Sequence, residues 1–549
     1  MACSAGACTA TAKAAVLNVT DLQSMLADGN VTVSTGSGAI ARQADDIVVT
    51  AGFTWTSSHL LTLDAFRSIS VEQPVVVAGA GGVSLTTNGG GTGGVLEFRR
   101  KGNIGFWGTG NSLSVNGTAF TLAATIDQLV SAIKANRGGA FALAADLDAS
   151  RHKVFKRSPL PFLSGTLEGL GHTIANLSIS VGSGNAGFIA AVEQSALVEN
   201  LSLEKEVVAG NADVGGLAGF SKGHIRRVRV EGTIHQLSGA YSAGGIVGFN
   251  KGIVEQASSG ATVYGAGYTE AGEIAGNSSG PIESSTATGW VFGGYAAGGI
   301  VGSGGIITNS NSSASVTGTT YVGGVAGQAT AITNCRASGP VTGLSDSKAG
   351  GLVGQIYGSI SGSSATGSVT ATGTTVGVYA GGLVGQAAGP VSQSFATGNV
   401  SISGVGPELW AGGFAGVAGN IENSYATGAV TATAPAIIGG FVGVQYHGPI
   451  QYSYSSGAVS GAAGSRVGGF AGAVDVADQI SDAYWDTTTS GTKTGVADGN
   501  TGGVAGLTTA QFVSGLPPGF DASVWGENSA VIRGLPYLLG NPPPAQIAR

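Results

Sequence analysis

Residues 380–401 read AGGLVGQAAGPVSQSFATGNVS, and residues 411–431 read AGGFAGVAGNIENSYATGAVT. The two stretches share a Gly-Gly pair, two small or apolar residues, a further Gly, a short turn, then Ser-aromatic-Ala-Thr-Gly and a closing Val. Working outward, the first Gly of such a pair recurs at 215, 244, 272, 298, 323, 350, 381, 412, 439 and 468, at spacings of 25 to 31 residues. Ten units of one pattern are the signature of a repeat architecture. Within each unit apolar and small polar residues alternate, as in half-buried strands, and no useful helical period appears. Three strand segments parted by turns in about 28 residues make one coil of a right-handed parallel β-helix. One coil cannot bury its own inward face, so the coils must stack and share a core. Parallel pairing at about 4.8 Å would make ten coils about 45–50 Å long. The glycines are expected at corners that need φ > 0. The extra residues Ser345–Lys348 and Val405–Glu408 are expected to lengthen surface turns.

The composition agrees. There are 98 Gly in 549 residues, charged residues make up 10% and hydrophobic residues 42%. That is too apolar for a disordered chain, and 15 Pro without a three-residue period exclude collagen. A net charge of −7 argues against nucleic acid as the partner. After Lys251 the only basic residues are Arg336, Lys348, Arg466, Lys493, Arg533 and Arg549. No window is apolar enough for a membrane span. The opening MACSAGACTATAKAAVLNV shows no signal-peptide pattern. Of the three cysteines, Cys3 and Cys8 could bridge each other, but a disulfide framework is not what holds such a fold.

Outside the repeats, residues 17–120 show short alternating strands. Ile126, Leu129, Val130 and Ile133 have helical spacing, and Thr125 with Gln128 suits a capping box, so one amphipathic helix is expected over 125–136. Residues 1–16 are expected to be disordered, 121–210 to hold the helix and connecting coils, 211–486 the ten repeats, and 487–549 a capping segment with a Pro-rich tail.

Together, the Gly-Gly-Leu-Val-Gly units followed by Ser-x-Ala-Thr-Gly-x-Val resemble the GLUG repeats of filamentous-haemagglutinin-type adhesins. LTLDAFRSISVEQPVVVAGAGGVSLTTN and LSVNGTAFTL, within 17–120, resemble the haemagglutinin coils of the same proteins, and SGTLEGLGHTI (164–174) the segment that precedes their repeats. GLTTAQ, SGLPPGFD, VWG and GLPYLL in the tail are similar to the end of that region. The resemblance implies a secreted or surface-displayed β-helix used in attachment. Its partner would be a host or bacterial cell-surface glycan or protein, and its export would use an outer-membrane transporter. The family's N-terminal secretion domain has no counterpart in this sequence.

Parallel β-helices also host polysaccharide lyases and hydrolases, which need paired carboxylates or a base with a cation. Glu255, Glu283 and Glu422 share a place in their units, but intervening coils break the ladder. Asp475, Asp478, Asp482 and Asp486 are a candidate Ca²⁺ cluster, although the calcium nonapeptide is missing and a solvated turn is the favoured reading. His59, His152, His172, His224, His235 and His447 show no metal spacing, and His172 reads as structural. No catalytic residue, cofactor or metal is therefore expected; a carbohydrate-active β-helix enzyme, lyase or hydrolase, and a passive spacer are the alternatives to an adhesin. Basic clusters stand at Arg99-Arg100-Lys101, at Arg151-His152-Lys153 with Lys156-Arg157, and at Lys222 with Arg226, Arg227 and Arg229. The last four residues are the candidate contacts for a glycan or acidic ligand; Arg227 and Arg229 alternate with Val228 and Val230 and so should point the same way. Phe395, Tyr425, Tyr452 and Tyr454 are expected to form a stacking ladder, with sugar platforms as the alternative.

Overall fold

The computed structural model describes residues 1–36, 43–239, 241–446, 448–475, 480–499 and 501–543. The chain forms two compact units, one of residues 1–179, 188–206 and 222–229, the other of 180–187, 207–221 and 230–549. Segments 17–120 and 121–179 thus fall in one unit. No helix among the described residues is long and apolar enough to cross a membrane.

The first unit is built of parallel coils. Val31–Ser34, Leu60–Asp64, Gly82–Thr86 and Ser112–Val115 pair in parallel, so that Val31, Leu61, Val83 and Leu113 stack inward, all buried. Residues 1–16 are not the disordered segment expected. Ala2–Ser4 and Ala7–Thr9 form an antiparallel hairpin with Cys3 opposite Cys8, and the two are disulfide-bonded. The hairpin's second strand pairs with Val31–Ser34, and Cys8 is buried.

The expected helix is α2, Ile126–Ala135, the crossover between the parallel strands Thr118–Ala123 and Ala140–Leu143. Thr125 Oγ1 accepts from Gln128 N, while Gln128 Oε1 accepts from Ala124 N, and Ile126, Leu129 and Ile133 are buried. It is not the only helix. Helix α1, Val19–Asp28, starts at the Asn18 cap and buries Leu22 and Leu26; α3, Thr509–Phe512, is one turn.

In the second unit the first glycines of the repeats stand in register, with Glu273 in place of the second Gly in one of them. Gly215, Gly244, Gly272, Gly298, Gly323, Gly350, Gly381, Gly412, Gly439 and Gly468 are successive Cα partners in one ten-stranded parallel sheet. Just inside it lies a fully buried column including Ile246, Ile274, Ile300, Val325, Leu352 and Leu383, then Phe414, Phe441 and Phe470 stacked at 4.7 and 4.9 Å. Each such side chain contributes about 1.5–3 kcal/mol by leaving water.

The paired glycines do not sit at left-handed corners. A Cβ on Gly381 would lie 2.0 Å from the Val384 carbonyl oxygen, and one on Gly382 would lie 2.0 Å from that of Gly413. They are needed for close approach of backbones. The left-handed corner of the coil is filled by Gln256, Ser284, Asn309, Asn334, Gln393, Asn423 and Tyr452, with Gly362 in the same column. Asn is the residue besides Gly that takes this conformation most readily. The next residue in each coil supports the corner: the N–H groups of Ser363, Ser394 and Ser424 donate to the hydroxyls of Ser394, Ser424 and Ser453. Each hydroxyl in turn donates to a carbonyl two residues back.

The segment after 486 adds strands Val496–Asp498 and Val504–Leu507 to the last coils, but it does not then close the end of the stack as expected. It turns back along the flank. Phe395, Tyr425 and Tyr454 stack at 5.0 and 5.3 Å, and Phe512, Phe520 and Trp525 cover them. Trp525 Nε1 donates to Asn423, Tyr454 Oη to the Pro536 carbonyl, and Asn541 Nδ2 to the Ser363 carbonyl. The ladder is therefore core; Tyr452, in the corner column, is not part of the stack.

Candidate functional site

In-register stacking turns a position in the repeat into a column on the surface. Two residues before each first Gly comes one column, Asp213, Ser242, Glu270, Ala296, Tyr321, Lys348, Tyr379, Trp410, Ile437 and Arg466, whose members reach the surface except for the buried Ser242 and Ala296. Five residues after that Gly comes a second outward column: Phe220, Phe249, Asn277, Ser303, Gln328, Gln355, Gln386, Val417 and Val444. Side chains meet across them. Asn277 Nδ2 donates to Glu270, and Lys348 Nζ donates to Gln355 Oε1 at 3.3 Å.

Aromatic rings dominate the middle of this face. Tyr379 and Trp410 stack at 4.8 Å, and the Tyr379 hydroxyl donates to Glu408. The Lys348 ammonium lies 5.2 Å from the Tyr321 ring centre and 5.9 Å from that of Tyr379; burial lowers its pKa. The inserted turn Ser345–Lys348 packs laterally as well as lengthening its coil: Asp346 accepts from Thr374 N, Thr375 N and Gly377 N of the next coil. Those bonds hold its carboxyl below the usual range. On another sheet of the same unit His235, Tyr264 and Phe292 form an outward stack at 4.7 and 5.1 Å.

At one end of the columns a recess of about 530 Å³ is lined by Asp213, Tyr241, Phe249, Tyr268, Glu270 and Tyr295, with Ser242 and Asn277. Burial raises the pKa of both carboxyls, and Asp213 adds repulsion at Glu270, while the bonds from Ser242 and Asn277 oppose the rise.

The basic residues expected to contact a ligand have other engagements. Arg226 and Arg227 both reach Glu199 Oε2, at 2.5 and 2.7 Å, and Arg227 Nε donates to Asn200 Oδ1. Asn200 donates to the buried Glu168, whose carboxyl is pushed up to about 8 by burial and then by Glu199. Arg227 has φ of 50°, which breaks the strand alternation, so Arg227 and Arg229 do not share a direction: Arg227 turns onto Glu199 while Arg229 is exposed. Lys222 is exposed, 4.0 Å from Glu193. Arg99 pairs with Glu97 and Arg100 with Glu72, whereas Arg151, Lys153, Lys156 and Arg157 are exposed.

The other candidates resolve individually. His172 is buried between Asp146 (3.0 Å) and the Ile104 carbonyl (2.9 Å). Glu255 faces Glu283, but Thr308, Thr333, Ser361 and Ser392 separate them from Glu422 in the same column. Asp486 is buried and accepts from Thr488 N and Thr509 Oγ1, Asp482 lies in the left-handed corner column, and Asp475 is exposed. Asp478 and His447 lie outside the described residues. The position two before each first Gly encodes the column and places Asp213 and Glu270 in it, whereas Tyr241, Tyr268 and Tyr295 come from the turns just before and carry no repeat signal.

Comparison with known proteins gives a partial match. The GLUG motif family model matches residues 318–342 and 347–370. Halomucin of Haloquadratum walsbyi is 34% identical over 127 residues, 23% of this chain, and the match spans 1% of Halomucin's length. A crystal structure of a candidate immunoglobulin A1 protease from Bacteroides ovatus aligns over 77% of this chain and 92% of its own. Its TM-score is 0.24 at 15% identity, too low to bear on function.

Proposed function

We propose that this chain is a stretch of a surface-displayed, adhesin-like protein, whose coils form a rigid scaffold presenting a binding face to glycans or proteins of a host or neighbouring cell. An outer-membrane transporter would export it. One observation carries the reading: the two outward columns, in which the stacked rings of Tyr379 and Trp410 share a face with the partly exposed amides of Gln355 and Gln386. Flat rings suit the apolar faces of sugars and amides suit their hydroxyls, and both repeat at the coil spacing of about 4.8 Å. GLUG motifs over 318–342 and 347–370, the coils that hold Tyr321, Lys348 and Gln355, and the likeness to Halomucin support the assignment. A glycan array and a cell-attachment assay test it. Binding that falls in a Tyr379→Ala/Trp410→Ala variant supports it, and retention of nothing on either assay counts against it.

A second reading, polysaccharide cleavage, has one observation in its favour, the two carboxylates of Asp213 and Glu270 in a common recess. Release of reducing ends from polysaccharides, with and without Ca²⁺, would establish it.

A further inference from the structure

We propose that the recess between Asp213 and Glu270 is a subsite for a protonated amino sugar, its ammonium held by the two carboxylates and its ring against the tyrosines. This rests on the glycan-binding reading above and names the class of glycan.

The charge argument comes first. Asp213 accepts a hydrogen bond from Ser242 N at 3.2 Å, and Glu270 accepts from the neutral Asn277 side chain. Among the described residues neither forms an ion pair. The two carboxylates are therefore partly desolvated, repel each other and lack an internal cation. Only Ser242, itself buried, separates them in the column, and all three line the recess. An ammonium presents three donors to such a recess and relieves the repulsion. A neutral hexose would leave it in place, and a sulfated or carboxylated sugar would add to it.

The walls fit the same ligand. Tyr241, Tyr268, Tyr295 and Phe249 surround the carboxylates, and aromatic faces attract cations. The protein uses this contact elsewhere on the same face, with Lys348 between Tyr321 and Tyr379; at the recess, Lys251 already lies 5.2 Å from the Phe249 ring centre, which leaves the three tyrosines for the ligand. The exposed rings of Tyr241 and Tyr268 offer the broad apolar surface a pyranose covers, more than a lysine side chain needs. The volume of about 530 Å³ lies in the range of small-ligand sites.

The recess is also held in shape. Buried Gln236 accepts from Gly239 N at 2.7 Å and from Thr269 Oγ1 at 3.2 Å, tying together the turns that carry Tyr241 and Tyr268. Tyr268 N donates to the Gly239 carbonyl. Little ordering is then left for the ligand to drive.

The test is calorimetric titration of the full chain with a glucosamine tetramer, its fully N-acetylated counterpart and a lysine tetrapeptide. The expected result is binding of the glucosamine tetramer about ten-fold tighter than either other probe, the size of one charge-assisted hydrogen bond. Raising the salt concentration should weaken it. Asp213→Asn/Glu270→Gln should abolish the preference, and Tyr268→Ala, at a fully exposed ring, should weaken binding without altering melting. Equal binding of the acetylated and free-amine tetramers would overturn the proposal, as would preference for the peptide or hydrolysis of either tetramer. Binding of neither tetramer, with other glycans still retained through Tyr379 and Trp410, would overturn the subsite alone. Loss of all glycan binding would remove the parent reading with it.

Discussion

Tyr379 and Trp410 are Cα partners on adjacent coils, and their rings stack at 4.8 Å with planes 8° apart. Both side chains are partly exposed, so the stack reaches the surface. Trp410→Ala should lower stability by only about 1 kcal/mol, the value of one aromatic pair. If the stack is the glycan platform, the same change should weaken ligand retention about ten-fold or more. Calorimetric titration with ligand and a thermal melt give the two readings from one preparation.

The paired glycines should tolerate no side chain. At Gly412 a Cβ would fall 2.1 Å from the Ala415 carbonyl oxygen, which is backbone and cannot swing away. Gly412→Ala is expected to cost about 1–3 kcal/mol, as overpacking does. At Gly182, with no atom within 4 Å of an added Cβ, the same substitution should be neutral. Denaturant midpoints of the two variants check the contrast.

Mild acid should stabilise the protein. Glu206 and Glu273 are buried, and burial pushes both carboxyls up to about 8 from an ordinary 4.5. Between those values the folded chain holds protons that the unfolded chain has lost, so stability falls as pH rises from about 4.5 to about 8. Each group contributes a slope of up to about 1.4 kcal/mol per pH unit. Melting temperature should therefore drop from pH 5 to pH 8, and Glu273→Gln should flatten the drop.

The returning tail should be worth more than a loose end. Trp525 is 1% exposed, packs on Phe520 at 4.5 Å and on Tyr425 and Tyr454 at about 6 Å, and bonds to Asn423. Trp525→Ala should cost about 3–5 kcal/mol and open the Phe395–Tyr425–Tyr454 stack to hydrophobic dye. Unchanged dye binding and melting would show that the tail does not cover that stack.

Much of this was legible in the sequence because stacking magnifies it. Ten glycines at varying intervals, nine of them opening a Gly-Gly pair, align one to one in the sheet, since insertions such as Ser345–Lys348 fall in turns. Helix α2 was legible from Ile126, Leu129 and Ile133. Helix α1 was not, although Leu22, Met25 and Leu26 carry the same spacing, because the neighbouring strands set the expectation for the whole stretch. The corners were misread because φ > 0 is usually assigned to Gly, whereas here Asn, Gln and Ser take it and Gly serves close packing. The direction of the tail depends on Trp525 meeting Asn423 across about a hundred residues, and no local pattern encodes that. The arginine cluster looked like a ligand site because Glu199, its neutralising partner, lies one coil earlier in the chain.

Every feature of the binding face depends on adjacent coils lying parallel and in register, which a cross-linking experiment tests most directly. Thr370 and Ser401 are register partners, as are Thr372 and Ser403. In a Cys335→Ser background, Thr370→Cys/Ser401→Cys should oxidise readily to a disulfide, because parallel partners stand about 4.8 Å apart, within reach of the bond. The offset pair Thr370→Cys/Ser403→Cys should not. Equal cross-linking of the two pairs, or of the offset pair alone, would contradict the ladder and the binding face built on it.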